Sequence, residues 1–173
     1  MPGGWIGLSV MLALLCGCRG DVVVSPPATA RSVYRPQTLG PFLLMNQSNA
    51  EKYIVSGVYA LENGDWRWAS RRAVLRLRLE EVDHLKFVLK FALPPQLISA
   101  RGPVRLRILL NHQPWQGFVY GKDGAYEIVQ PAPVEFLKPE AENFVTIETD
   151  KFLPADAWGR ELGFILVHAG FQS

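Results

Sequence analysis

Cysteine is scarce in this chain of 173 residues, and both copies, Cys16 and Cys18, lie close to its beginning. Two cysteines so near the start leave the rest of the sequence without any possible disulfide. Long apolar runs are also missing, because the uncharged segment 5–15 is shorter than the roughly twenty residues that cross a membrane as a helix. The net charge of +2 is close to neutral, so no nucleic-acid partner is indicated.

Signatures of catalysis and of metal binding are absent as well. No Gly-x-Ser-x-Gly elbow, P-loop or Gly-rich dinucleotide turn occurs. The three histidines, His84, His112 and His168, are far apart and have no partner at the spacing of a zinc pair. The adjacent Glu80 and Glu81 would point to opposite faces of a strand. The sequence therefore predicts that the protein is not an enzyme and needs no cofactor or metal.

One oxygen-rich segment leaves a metal alternative open. Asp150, Asp156 and Glu161 flank the loop before the last predicted strand, where a sandwich domain can hold a structural calcium ion. Arg160 lies in the same segment and can pair with these acids instead. We favour the ion-pair interpretation.

The start of the chain has the features of an export signal. Residues 5–15 fit the apolar core of a signal peptide, and Leu15-Cys16-Gly17-Cys18 resembles the bacterial lipobox, in which a cysteine thiol receives a diacylglyceryl group. The resemblance implies a lipoprotein signal peptide at 1–17 and a lipidated Cys18 that anchors an exported protein to a membrane. Arg19 after the cysteine favours the outer membrane or periplasmic face over the inner membrane. A plain signal peptide and an uncleaved anchor are the alternatives.

After this segment the sequence changes character twice. Residues 18–38 are rich in Pro, Ser, Ala and Arg without a period, which predicts a flexible tether. Residues 39–173 are long enough for one domain with a core. Within them, alternation of apolar and polar residues is clearest at 73–79, 86–93 and 104–110.

Six further segments have strand character, which gives nine short strands in total. The other predicted strands are 53–60, 66–69, 115–120, 125–130, 143–149 and 162–171. Asn63-Gly64 and Asp123-Gly124 suit tight hairpin turns, the segment around Pro95 is predicted as a loop, and a brief helical turn is possible at 154–158. The pattern predicts an all-β fold, a single antiparallel two-sheet sandwich of the jelly-roll kind.

Several short segments carry a resemblance to a known class of module. They include Ser56-Gly57-Val58-Tyr59 with Glu62, Trp66-Arg67-Trp68-Ala69, Phe91-Ala92-Leu93-Pro94 and the stretch from Asp150 to Phe164. Together they resemble the jelly-roll modules of bacterial surface-polysaccharide proteins, which are similar in shape to carbohydrate-binding domains. The resemblance implies a sandwich fold and a glycan ligand.

Aromatic side chains beside amides supply the candidate ligand-binding residues. Trp115 with Asn111 and Gln113 suits a hydroxyl-rich ligand, because sugar rings stack on exposed aromatic faces. Tyr120, Tyr126 and Trp66 are further candidates. A buried Trp115, and a core position for Trp66 or its neighbour Trp68, are the alternatives.

The alternating strands also carry a row of basic residues. If three of these strands share a sheet, a basic stripe able to meet phosphate or uronate groups forms from Arg76, Arg78, Lys86, Lys90, Arg105 and Arg107. Acidic residues on neighbouring strands, such as Glu148, would instead neutralise it. An ordinary solvated face is the plainer interpretation.

Two functions of different classes follow from these observations. The first is a non-catalytic envelope lipoprotein that binds a glycan or other surface polymer. The second is a structural or assembly lipoprotein that docks onto an envelope protein complex. In both, the membrane is a partner through the lipid anchor and nucleic acid is not.

Overall fold

The computed structural model describes residues 38–154, 156 and 159–173. The predicted signal peptide, Cys18 and nearly all of the predicted tether lie outside these residues, as does most of the helical turn expected at 154–158. No helix within the described ranges is long and apolar enough to cross a membrane.

The described part of the chain is built mainly from nine antiparallel strands, which confirms the predicted all-β sandwich. In chain order they are β1 (Phe42–Leu44), β2 (Ile54–Glu62), β3 (Trp66–Leu79), β4 (Lys86–Leu93), β5 (Val104–Leu110), β6 (Gln113–Tyr120), β7 (Gly124–Pro131), β8 (Ala141–Thr149) and β9 (Phe164–Gln172). They are hydrogen-bonded in the order β6-β5-β8-β3-β9-β4-β7, with β1 added to β9 and β2 added to β3.

Strand β3 connects the two layers of the sandwich. Its first part, 67–69, pairs with β9, whereas its longer second part, 72–79, pairs with β8. One layer therefore consists of β6, β5, β8 and the second part of β3, and the other consists of β7, β4, β9, β1 and the first part of β3. The two layers meet through aromatic contacts such as Phe87 of β4 with Trp115 of β6, whose ring centroids are 5.8 Å apart.

The core lies between the layers and is built by period-two alternation. On β3 the buried residues are Ala73, Leu75, Leu77 and Leu79, and on β5 they are Val104, Leu106, Ile108 and Leu110. The residues between them on β5, Arg105 and Arg107, are exposed. Since successive side chains of a strand point to opposite faces, the charged residues of these strands form the outer surface.

Three sequence predictions about local structure are wrong. The segments 66–69 and 73–79 belong to one strand, because the intervening arginines continue the extended chain. The loop expected after β4 contains a short helix, α1 (Pro95–Arg101), which begins with Pro95 in its first turn and ends before Gly102 at φ +73°. Asp123-Gly124 does not close a hairpin, because β6 and β7 lie at opposite ends of the strand order.

Two tight hairpin turns do occur, and both use left-handed residues. Asn63 and Gly64 have φ of +50° and +81° between β2 and β3, as the sequence predicts. The turn between β5 and β6 uses Asn111 and His112, with φ of +47° and +71°. Asn and His are among the few non-glycine residues that tolerate this region. The second turn contains no glycine, so the sequence does not mark it clearly as a turn.

Candidate functional site

A shallow groove lies on the outer surface of the layer that contains β3, β8, β5 and β6. One part has a volume of about 600 Å³ and runs between β5 and β6, with Trp115 in its lining. The adjoining part, about 510 Å³, shares Arg105, Arg107 and Glu148 with the first. We call the two parts together the arginine groove; its charged lining residues are Arg71, Arg72, Arg105, Arg107, Glu148 and Asp150.

Strand pairing places Glu148 at the centre of this groove. Glu148 on β8 is the register partner of Arg72 on β3 and of Arg107 on β5, so the three side chains form a row across three strands. Arg72 Nη1 donates to Glu148 Oε1, and Arg107 Nη2 donates to Glu148 Oε2 at 2.8 Å. The Glu148 side chain is 16% exposed and lies between arginine side chains that are 52% and 65% exposed.

The other carboxylate of the groove is held by the backbone. Asp150 Oδ1 accepts a hydrogen bond of 2.7 Å from the backbone N–H of Arg105, and the N–H of Asp150 donates to the carbonyl oxygen of Arg105 at 3.1 Å. These two bonds fasten the end of β8 to β5. They leave the guanidinium of Arg105 on the exposed side of the strand.

An irregularity in β3 brings two consecutive arginines to the same groove. Ser70 Oγ donates to the carbonyl oxygen of Arg72 at 2.8 Å and accepts from the N–H of Arg72 at 3.2 Å. The pairing of β2 with β3 shifts register here, and Gly57 at φ +73° lies so close that an added Cβ would stand 1.8 Å from the Arg72 carbonyl oxygen. Only glycine allows this approach.

The β6 side of the groove is apolar. Val119, the register partner of Arg105, is 65% exposed, and Gly117, the partner of Arg107, has no side chain to cover the arginine. Pro114 and Trp115 lie further along the same strand. The groove thus combines guanidinium donors with apolar surface.

Trp115 is half-buried rather than exposed in a loop. It lies on β6, packs against the core and contacts Phe87 edge to face at 5.8 Å, while also lining the groove. Gln113, at the start of β6, is exposed. These two candidates therefore lie on the strand that borders the groove, and Trp115 also contributes to the packing of the core.

Asn111 is occupied within the protein. Its Nδ2 donates to Asn143 Oδ1 at 2.8 Å and to the Phe136 carbonyl at 2.7 Å, and its Oδ1 accepts from the N–H of Phe144 at 2.9 Å. The side chain continues the pairing of β5 with β8 beyond the end of β5. Asn111 therefore supports the hairpin and is not part of the groove.

The tyrosine candidates lie on the inner side, with Tyr120 at the end of β6 and Tyr126 near the start of β7. Tyr120 and Tyr126 have ring centroids 4.3 Å apart, and both contact Phe91. Burial, and to a smaller extent the neighbouring Tyr126, raise the pKa of Tyr120. Tyr126 donates its hydroxyl hydrogen to the Lys122 carbonyl at 2.7 Å. Both rings fill the space between two strands that do not pair.

Trp66 lies apart from the other candidates. It is half-buried on β3 and packs edge to face against Trp68 at 5.9 Å, while Arg67 and Ala69 between and beside them are the buried residues. The two tryptophans thus lie on the face of β3 opposite to the core. The six candidate residues do not converge on one site.

The acids considered for calcium are engaged by arginines or by backbone. Asp156 and Glu62 hold Arg160, at 2.7 Å and 2.8 Å, and these hydrogen bonds raise the pKa of Arg160. Glu161 lies 3.6 Å from Arg71. Across the described ranges, no three His, Cys, Asp or Glu side chains are grouped closely enough to hold a metal ion.

The basic stripe is divided between the two layers. Arg76 and Arg78 on β3 and Arg105 and Arg107 on β5 share one layer, but Lys86 and Lys90 on β4 belong to the other, so the six residues do not form one stripe. The sequence also missed Arg71 and Arg72. Arg72 is separated from Arg76 and Arg78 by even numbers of residues. A continuous strand over 66–79 would therefore have placed all three arginines on the same face.

The comparisons with known proteins are limited to distant likenesses. No protein-family model and no curated protein matches this sequence. A family 35 carbohydrate binding module from an environmental isolate is 10% identical, with a TM-score of 0.39 over 70% of this chain and 76% of the module. A family GH115 4-O-methyl-alpha-glucuronidase with specificity for decorated arabinogalactans is 11% identical, with a TM-score of 0.38 over 62% of this chain and 14% of the enzyme. Neither likeness is close enough to identify a family or a function.

Proposed function

We propose that this protein is a non-catalytic lipoprotein of the bacterial envelope whose β-sandwich binds a glycan or another surface polymer in the arginine groove. The groove itself is the observation that carries the proposal. It combines the exposed Val119 and the half-buried Trp115 with guanidinium donors held on paired strands. A ligand that has both hydroxyl or charged groups and apolar faces needs this combination.

The absence of catalysis is part of the proposal and is supported by how the groove carboxylates are held. Both oxygens of Glu148 already accept hydrogen bonds from guanidinium groups, and Asp150 Oδ1 accepts from a backbone N–H. A general acid or base needs an oxygen within reach of the reacting group. These contacts suit the orientation of Arg72 and Arg107 better than proton transfer.

The envelope location rests on the sequence of the first 18 residues. Leu15-Cys16-Gly17-Cys18 motivates lipidation at Cys18, with the acyl chains holding the domain at a membrane surface. Metabolic labelling with a fatty-acid analogue should mark the protein, and Cys18→Ala should abolish the label. Equal labelling of the variant would remove the lipid anchor from the proposal.

Docking onto an envelope protein has weaker support. Within the described ranges, the large apolar side chains that are at least 40% exposed are Leu44, Val55, Leu61, Val119, Val129 and Val134, and they are spread over four strands and the segment that follows β7. A docking surface for a protein partner is usually a contiguous patch. Val119 already belongs to the groove.

Retention on polymer tests the binding proposal. The full chain, solubilised in detergent, should be retarded in gels that contain the polysaccharide fraction of the host envelope. Val119→Asp, which places charge on the exposed apolar border, should reduce the retardation, whereas Val134→Asp, at an exposed valine outside the groove, should leave it unchanged. Equal retardation of the two variants would show that the polymer does not bind in the arginine groove.

A further inference from the structure

We infer that the polymer bound in the arginine groove is acidic, and that Arg105 and Arg107 bind its oxyanion groups. The inference rests on the proposed function and specifies the ligand class of the same site. Carboxylate, phosphate and sulfate groups present the same kind of charged oxygen to a guanidinium group, so the shared chemistry is an oxyanion carried on a polymer.

The groove has more positive charge than its own carboxylates neutralise. Four arginines line it against two carboxylates, those of Glu148 and Asp150. Glu148 pairs with Arg72 and Arg107, but Asp150 bonds the backbone of Arg105 instead of a guanidinium group. Glu161 approaches Arg71 only to 3.6 Å. The balance of charge therefore favours an anionic occupant.

Arg105 has guanidinium donors that are available to a ligand. Among the residues that the structure describes, none forms a hydrogen bond or ion pair with its exposed guanidinium. Arg107 lies two residues further along β5 on the same face, about 7 Å away at the rise of a strand. Arg107 gives one nitrogen to Glu148 and remains 65% exposed, so its other donors stay available.

The positions of these arginines are set before any ligand arrives. Arg105 and Arg107 lie on β5, which is paired on both sides, with β8 and with β6. Glu148 further restrains Arg107 through the 2.8 Å bond. A side chain that is already restrained loses less conformational freedom on binding, which favours affinity.

Apolar surface next to both arginines favours an acidic sugar over a small free anion. Val119 lies opposite Arg105 and is 65% exposed, and Gly117 opposite Arg107 leaves the surface open. A free phosphate or sulfate ion would gain nothing from this border. A sugar ring that carries an acidic group can contact it with its C–H faces while the group meets the guanidinium donors.

Dextrans that differ only in their substituents test the inference directly. The full chain would be run in gels containing neutral dextran, carboxymethyl dextran, dextran phosphate or dextran sulfate. We expect retention by the acidic dextrans and none by neutral dextran, with the order of the three showing which oxyanion fits. Arg105→Gln with Arg107→Gln should weaken retention about ten- to hundredfold, because hydrogen bonds to charged groups are the strong ones.

A matched double variant controls for bulk charge. Lys86→Gln with Lys90→Gln also removes two positive charges, but from the other layer. It should change retention less than about twofold, since exposed charges beyond a Debye length are screened. Thermal melting should show both double variants folded. Equal losses in the two variants, or equal retention by neutral and acidic dextrans, would overturn the inference.

One further result separates this inference from the proposed function. If the full chain binds the host polysaccharide but no acidic dextran, the ligand is a polymer and the oxyanion assignment is wrong. If it binds neither, the inference and the proposed function both fail.

Discussion

Two polar clusters lie near opposite ends of β8, and they differ in how much bonding capacity they leave free. At one end, Asn143 is 1% exposed; its Oδ1 accepts from Asn111 and from the N–H of Lys138, and its Nδ2 donates to two backbone carbonyls. At the other end, Glu148 is bonded by Arg72 and Arg107, whose side chains are more than half exposed. The first cluster is satisfied within the protein, and the second has donors for a ligand.

The comparison explains why the amides looked like a binding site in the sequence. Asn111 stands close to Trp115 and Gln113, and amides beside an aromatic suit a sugar. The sequence does not show that β8 passes alongside the β5–β6 hairpin, where the N–H of Phe144 meets Asn111 Oδ1. Spare donors, rather than residue types, distinguish the binding cluster.

The largest predicted effect breaks the amide cluster. Asn143→Leu leaves buried partners at Lys138 and Asn111 without their hydrogen bonds, at about 1–3 kcal/mol for each unsatisfied group. The free energy of unfolding measured in urea should fall by about 2–4 kcal/mol. Polymer binding by the fraction that remains folded should be unchanged. A variant of unchanged stability would show that the cluster is not structural.

Trp115 lies between the two roles, so we predict a moderate effect on both. Trp115→Ala removes a half-buried ring that packs on Phe87 and should lower stability by about 1–2 kcal/mol, less than the loss at a fully buried aromatic. Retention on polymer should also weaken, because Trp115 lines the groove. Trp115→Phe should recover most of the stability. Full stability of the alanine variant would mean that the contact with Phe87 contributes little.

The fold could be predicted from the sequence further than the site could. Alternation at Leu75, Leu77 and Leu79 identifies a buried strand face because the period of a strand is fixed by its geometry. Which strands are neighbours depends on long-range pairing, so the separation of Lys86 from Arg105 into different layers was not readable. The same holds for the row that joins Arg72, Glu148 and Arg107, since its members are distant in sequence.

Glu148 should affect stability less than Asn143 does, and unlike Asn143 it should also affect binding. Glu148→Gln loses two ion pairs between a side chain that is 16% exposed and arginine side chains that are 52% and 65% exposed, which should lower the free energy of unfolding by about 1–2 kcal/mol. The side-chain oxygen of glutamine can still accept from Arg107, so the restraint on Arg107 is kept while the negative charge is removed. A unit charge about 7 Å from the ligand oxyanion in water contributes about 0.6 kcal/mol, so removing it should tighten retention on acidic dextran about two- to threefold. Weaker retention would mean that Glu148 acts mainly by orienting Arg107.

The smallest effect lies in the other layer, at His168 on β9, and serves as a reference for both clusters. His168 packs against the ring of Phe42 at 5.3 Å, with Glu127 Oε1 at 3.7 Å and Lys90 as its strand partner. Burial lowers the pKa of His168 and Lys90 adds to this, while Glu127 opposes it.

Because the folded pKa is below the unfolded value near 6.5, the unfolded chain binds more protons between the two values. Stability should therefore be reduced below the folded pKa and recover as the pH rises to about 6.5. His168→Gln should remove this step from urea unfolding curves measured between about pH 5 and 7.5, and it should leave retention on acidic dextran unchanged at each pH. A pH step in retention that disappears in the variant would show that His168 influences binding in the groove, contrary to this prediction.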